Sequence, residues 1–337
     1  MRSIWKKIRH RIEWAALKAA GAIVPLLSRK TCYHLAQSVG ALASVLDRHG
    51  RRVAVENLHF AFGGTLTNAR REEIVRETYQ HFARAMIDLM WSPRLTKENF
   101  SRYVEMKNLE VWLDALEPGK PVIFGCYHYS NFEWMGVGVG HLGYPSVLLA
   151  QEFKNPFLDP IFTALRESSG HRVVPREGAV LHLYKAVRRG GRVAIFVDVT
   201  IPAQLPTVPI ECFGLKTSVT QAHAWLHQRT GAPIINAHCE PLPDGRYRVV
   251  FHPKLEVRPG ATLSEIAQAC WDQFELYVRE HPAPWMWMYK HWRYRPAAAD
   301  PASYPFYSNV SPAFEQRLAE SESSAGMSTI TREGAQL

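Results

Sequence analysis

His128 and Glu133 lie five positions apart in residues 121–134, Pro-Val-Ile-Phe-Gly-Cys-Tyr-His-Tyr-Ser-Asn-Phe-Glu-Trp. A histidine at the end of a strand, followed by an acid in the first turn of a helix, can form a general base and its orienter. The carboxylate accepts one ring N–H and fixes the tautomer, and the other ring nitrogen is free to take a proton from an alcohol. With 15 histidines and 31 acids in 337 residues, roughly one such spacing arises by chance, so spacing alone is weak evidence. Context carries the weight. The apolar run from Val122 to Cys126 has the length of a buried strand, and Ser130 and Asn131 suit the cap of a following helix.

Other groupings are weaker. Cys126 shares a strand face with His128, but a small core residue accounts for it better than a thiol nucleophile. His223 and His227 lie four apart on an expected helix without a nearby third ligand, so no metal site is expected. Gly138, Gly140 and Gly143 spell GxGxxG, yet the preceding strand ends too early for a dinucleotide turn, and close helix packing explains the small residues better. No GxSxG and no Walker loop is present, and no cofactor is implied. The five cysteines form no CxxC pair, which argues for a reducing compartment and against a disulfide framework.

The elements that must hold the histidine follow from periodicity. From Pro121 onward strands and helices alternate. Strands are expected at 121–127, 146–150, 172–174, 192–197, 233–239 and 246–251, and helices at 131–141, 157–168, 179–188, 218–229 and 263–279. This implies an α/β fold with a mixed, largely parallel central sheet flanked by helices. Sites in such sheets form where strands end, and His128 and Asp198 both follow expected strands. Residues 201–209, with three prolines, read as a fixed surface loop. Residues 118–296 form the α/β core on this reading.

Ahead of the core, residues 31–117 read as helical. Val39, Leu42, Val45 and Leu46 form one apolar face, and Arg70, Arg71 and Arg84 read as solvated. Residues 2–30 carry eight Lys or Arg and one acid, Glu13. Their apolar part is too short to span a bilayer, which takes about 20 residues. They read as a basic amphipathic helix lying in a membrane interface. Beyond Pro296, residues 297–337 lose periodicity and read as a mostly disordered tail, anchored by Tyr304, Phe306 and Tyr307. The net charge of +9 suits anionic partners, but no nucleic-acid module is visible.

The succession of motifs resembles the late acyltransferases of lipid A biosynthesis, the lauroyl/myristoyl transferase family of the HX4(D/E) acyltransferases. Beyond the His128/Glu133 block, the likeness runs through Lys154-Asn155-Pro156-Phe157-Leu158-Asp159, Arg166 in Leu-Arg-Glu-Ser-Ser-Gly, and Val174-Pro175-Arg176-Glu177-Gly178. It continues in Gly190-Gly191-Arg192-Val193-Ala194-Ile195-Phe196-Val197-Asp198 and ends at His281-Pro282-Ala283-Pro284-Trp285-Met286-Trp287. Asn57-Leu58-His59-Phe60-Ala61-Phe62 is similar to the family's N-terminal marker.

The resemblance implies an enzyme on the cytoplasmic face of an inner membrane. It would move an acyl chain from acyl carrier protein to a hydroxyl of a glycolipid. His128 is then the base and Glu133 its partner, with Arg166, Arg176 and Asp198 on the substrate side. The two arginines are candidates for clamping phosphate. Phe132, Trp134 and Met135 are candidates for an acyl groove. The family's second aspartate is replaced in Asp198-Val199-Thr200, and its arginine ahead of the Asn-Pro pair is absent near Gln151. Both departures bear on the acceptor, and a lysophospholipid, phosphoglycolipid or aminolipid stays open. A non-catalytic basic protein bound to a membrane surface is the reading from a different class.

Overall fold

The computed structural model describes residues 2–112, 115, 117–149, 153–175 and 177–333. Its helices are α1 Arg2–Ile23, α2 Arg29–Leu46, α3 Arg48–Phe62, α4 Asn68–Trp91, α5 Phe132–His141, α6 Asp159–Glu167, α7 Ala179–Arg188, α8 Ala222–Thr230, α9 Leu263–Glu280 and α10 Pro312–Glu333. Its strands are β1 Val104–Lys107, β2 Val122–Cys126, β3 Val147–Leu149, β4 Arg172–Val174, β5 Arg192–Phe196, β6 Thr207–Cys212, β7 Leu215–Thr220, β8 Ile234–Pro241, β9 Tyr247–Phe251, β10 Tyr294–Arg295 and β11 Asn309–Val310.

The described strands build one seven-stranded sheet in the order β1-β9-β8-β2-β5-β3-β4. Strands β8, β2, β5, β3 and β4 run parallel, as βαβ crossovers demand. The turn at Pro243-Asp244-Gly245 reverses the chain, so β9 runs antiparallel to β8, and β1 joins it at the edge. At the centre, all five residues of β2 are buried, because helices cover both faces. Ile123 belongs to the core under α7, α8 and α9. Val122, Phe124 and Cys126 belong to the opposite core, with α4 and α5. This is the mixed, largely parallel sheet expected from the alternation.

Several local expectations change. The loop expected at 201–209 stops short of residue 207: β6 begins there and pairs with β7 as a separate hairpin through Phe213-Gly214, both at positive φ. Pro209 is tolerated there because a two-stranded ribbon is all edge. The pairing also delays the helix expected from residue 218 until Ala222. Arg84 is buried, donates to the Gly245 carbonyl and lies over the rings of Tyr33 and Tyr247.

Helix α2 reverses the usual amphipathic arrangement. Its small residues Cys32, Ala36, Gly40 and Ser44 are buried, and the helix packs along α4. A Cβ on Gly40 would sit 2.4 Å from the Gln80 Cα, so only glycine permits that approach. The apolar face read from Val39, Leu42, Val45 and Leu46 points outward instead, and Leu42 is 59% exposed. Past Pro296 the described chain is tied into the core at Tyr304, Tyr307 and Phe314, whereas Phe306 is exposed.

Candidate active site

Parallel pairing of β2 with β5 sets Cys126 opposite Phe196. Two residues beyond the end of each strand stand His128 and Asp198. The Asp198 carboxylate takes three donors: the His128 amide at 2.8 Å, the His128 ring Nδ1–H at 2.9 Å and the Trp285 Nε1–H at 3.0 Å. Burial would raise the Asp198 carboxyl, but His128 and Trp285 hold it below its ordinary value. It is therefore an anion that draws the Nδ1–H of the imidazole and so favours the tautomer that leaves Nε2 as an acceptor. The ring is clamped by stacking on Phe196, centroids 3.9 Å apart, and by the edge of Phe132 at 5.0 Å.

The expected hydrogen bond between His128 and Glu133 gives way to this arrangement. Both Glu133 oxygens are taken by Arg166, at 2.6 Å to Nη2 and 3.0 Å to Nε. Helix geometry explains the change. Glu133 projects from the first turn of α5 toward α6, while Asp198 stands two residues beyond the end of β5, the strand next to β2. Burial opposes the charge on Arg166, but Glu133 outweighs it and raises the guanidinium pKa. Asp198, expected on the substrate side, is buried behind the imidazole instead.

His128 separates two chambers. The first, a cavity of about 230 Å³, is lined by His128, Phe132, Glu133, Met135, Gly136, Arg166 and His171, among others. Its His171 is inert: the ring accepts from the Ser146 amide, donates to the Gly136 carbonyl, and burial depresses its basicity. Cys126 also lines it, but burial pushes its thiol up to about 12, so no thiolate forms. The second chamber, of about 390 Å³, lies on the other side of Phe196 and includes Val199, Thr200, Thr220, Met286, Tyr289 and Arg293. His128, Leu149 and Phe196 line both.

Of the three groove candidates, Phe132 and Met135 line the first chamber. Trp134 does not. It faces away from the chamber, fully buried, with its indole N–H on the Asp88 carbonyl. Arg176 and Gln151 lie outside the described residues. Two of the three glycines are packing devices: a Cβ on Gly138 would meet the Phe100 ring at 2.0 Å and one on Gly140 the Ser169 carbonyl at 2.5 Å, whereas Gly143 has open space and a positive φ. Among the described residues no group of three or more His, Cys, Asp or Glu could hold a metal.

The profile of the bacterial lipid A biosynthesis acyltransferases matches residues 3–294. The chain belongs to that family. It is an acyltransferase. A protein of Haemophilus influenzae (strain ATCC 51907 / DSM 11121 / KW20 / Rd) named lipid A biosynthesis acyltransferase is 22% identical over 256 residues, covering 74% of this chain and 78% of that one.

Two positioning residues of the acyltransferase escape a reading by sequence pattern. Buried Asp88 accepts from Arg29 at 2.6 Å, from Asn131 at 2.9 Å and from Tyr247. Asn131 in turn caps α5 through the Trp134 amide, so α4 holds the helix that carries Glu133. Asn57, in the N-terminal marker, donates to the carbonyls of Trp287 and Tyr289. It thereby holds the loop that gives Met286 and Tyr289 to the second chamber. A polar residue inside an apolar helical face is the only trace of either role in the sequence. In the aromatic stretch from Trp285 to Tyr294, Trp285, Trp287 and Trp292 lie in the core.

Proposed function

We propose that this acyltransferase moves a fatty acyl chain from acyl carrier protein to a hydroxyl of a lipid A precursor, with His128 as general base and Asp198 as its orienter. The observation that carries the reading is the imidazole itself: its Nδ1 is held by a buried carboxylate, and its edge lies between two chambers. His128 Nε2 takes the acceptor proton as the acceptor oxygen attacks the thioester carbon. The C–S bond then breaks, and the leaving thiolate receives that proton. Arg166 has Nε and Nη2 committed to Glu133, and its Nη1–H meets the developing oxyanion. A well-placed donor of this kind is worth about 3–4 kcal/mol.

The first chamber takes the acyl chain. At about 0.8 kcal/mol per buried CH₂, a chain of roughly twelve carbons gains on the order of 9 kcal/mol there. Purified protein given acyl carrier protein thioesters and a panel of phosphorylated glycolipids, aminolipids and lysophospholipids tests the transfer. His128→Ala should lower it by on the order of 10²–10⁴-fold without altering circular dichroism. Wild-type turnover in that variant sinks the mechanism, and transfer to lysophospholipid alone sinks the acceptor.

The same reading puts the enzyme on an inner-membrane surface. No helix among the described residues is long and apolar enough to cross a bilayer. Support comes from exposed Trp5, Ile8 and Ile12 on basic α1, and from the exposed stripe Leu35, Val39, Leu42 and Leu46 on α2. Replacing Leu42 and Leu46 by Glu should release the protein from anionic vesicles in flotation assays. Unchanged flotation would remove α2 from the membrane face.

A further inference from the structure

The second chamber holds a cation that the mechanism above leaves unused. Most arginines near the site are already satisfied. Arg29 lies on Asp88, Arg166 on Glu133, and Arg84 on the Gly245 carbonyl. Arg293 differs. Its guanidinium has no hydrogen bond and no ion pair among the described residues, although the side chain is half-buried and lines the chamber that His128 also lines. The described lining of this chamber contains no Asp or Glu. The nearby carboxylate of Asp198 is consumed by His128 and Trp285.

The rest of the lining suits an amphiphile with a polar head. Ile195, Phe196, Ile201 and Met286 supply apolar wall, and Thr200, Thr220 and Tyr289 lie among them. Tyr289 is itself pinned, its hydroxyl donating to the Thr200 carbonyl, so the wall beside Arg293 is fixed before any ligand enters. Arginine presents several N–H donors in a plane and matches phosphate oxygens two at a time. A half-buried guanidinium without a counter-charge is costly until an anion arrives.

We propose that Arg293 is the anion anchor of the acceptor site. It grips a phosphate group of the phosphorylated glycolipid so that the acceptor hydroxyl comes to rest at His128 Nε2. This rests on the transfer reading above and extends it. It also reassigns the phosphate-binding role: Arg166 is neutralised by Glu133 in the other chamber, whereas Arg293 is uncommitted in the chamber free for the acceptor.

The test uses the full chain in detergent micelles, with a phosphorylated lipid A precursor and the same lipid after phosphatase treatment. Arg293→Ala should raise KM for the phosphorylated lipid by about 10–100-fold, with the change carried by KM rather than kcat. The preference for phosphorylated over dephosphorylated lipid should fall by the same factor, and Arg293→Lys should recover part of it. Equal KM changes on both lipids overturn the proposal. So does a rise confined to the acyl carrier protein donor, which would put the donor's phosphate on Arg293 instead. Equilibrium binding of the two lipids to His128→Ala, with and without Arg293→Ala, reads the anchor without turnover. If wild-type protein acylates neither lipid, the transfer reading fails, while a lost phosphate preference in binding still upholds Arg293. An undiminished preference rejects it.

Discussion

The chambers on either side of Phe196 share the imidazole of His128 and differ in their charge. In the first, the cation and the anion are matched before substrate arrives: Arg166 and Glu133 satisfy each other, and His171 is tied at both nitrogens. In the second, the cation is left over. A chamber with balanced charge and apolar walls welcomes a hydrocarbon chain, because no buried charge competes for its space. A chamber with one uncompensated guanidinium selects an anionic head. On the proposed mechanism, the difference teaches that a single imidazole serves two chemically unlike substrates when its orienting carboxylate sits behind it, out of both cavities. Asp198, with a fully buried side chain, meets that condition. Glu133 lines the first chamber and does not.

The largest test of this asymmetry is Asp198→Asn. The amide keeps the shape but lets the ring take the wrong tautomer, so kcat should fall by on the order of 10²–10⁴-fold, with both substrates still bound. A variant with near-normal kcat would return the orienting role to Glu133. Next comes the loss of phosphate preference in Arg293→Ala, which breaks the comparison if the two lipids respond alike. The smallest effect should come from narrowing the first chamber. Gly136 lines it, and a Cβ there would meet no heavy atom within 4 Å. Gly136→Leu should therefore fold and shift the preferred donor to shorter chains, at about 0.8 kcal/mol for each CH₂ excluded. A chain-length profile matching wild type would mean that the acyl tail lies elsewhere.

Much of the scaffold was readable from local pattern. The strand at 172–174 and the helix at 179–188 fall where periodicity set them, since both are short elements with clean breaks at Gly170, Gly178 and Gly190. The hairpin at β6 and β7 was not, because Phe213-Gly214 lacks the Asn-Gly signal of a two-residue turn and three nearby prolines argued for loop. Helix α2 packs with its small residues inward and its larger apolar residues outward. Its pattern gives an apolar face and a small-residue face, and pattern alone assumes that the larger residues go inward. The close approach of α4 at Gly40 decides otherwise.

By itself, the sequence determined an α/β protein with a histidine at the end of a buried strand, and an ordered set of motifs that tied it to acyl transfer. Only the tertiary structure decided which carboxylate holds that histidine. Asp198 is 70 residues away in the chain and 2.9 Å away in space, because β2 and β5 are neighbours in the sheet. Side-chain spacing along a chain carries information about faces of one element. Which strands lie side by side depends on how whole layers bury their apolar surface, and no local spacing records it.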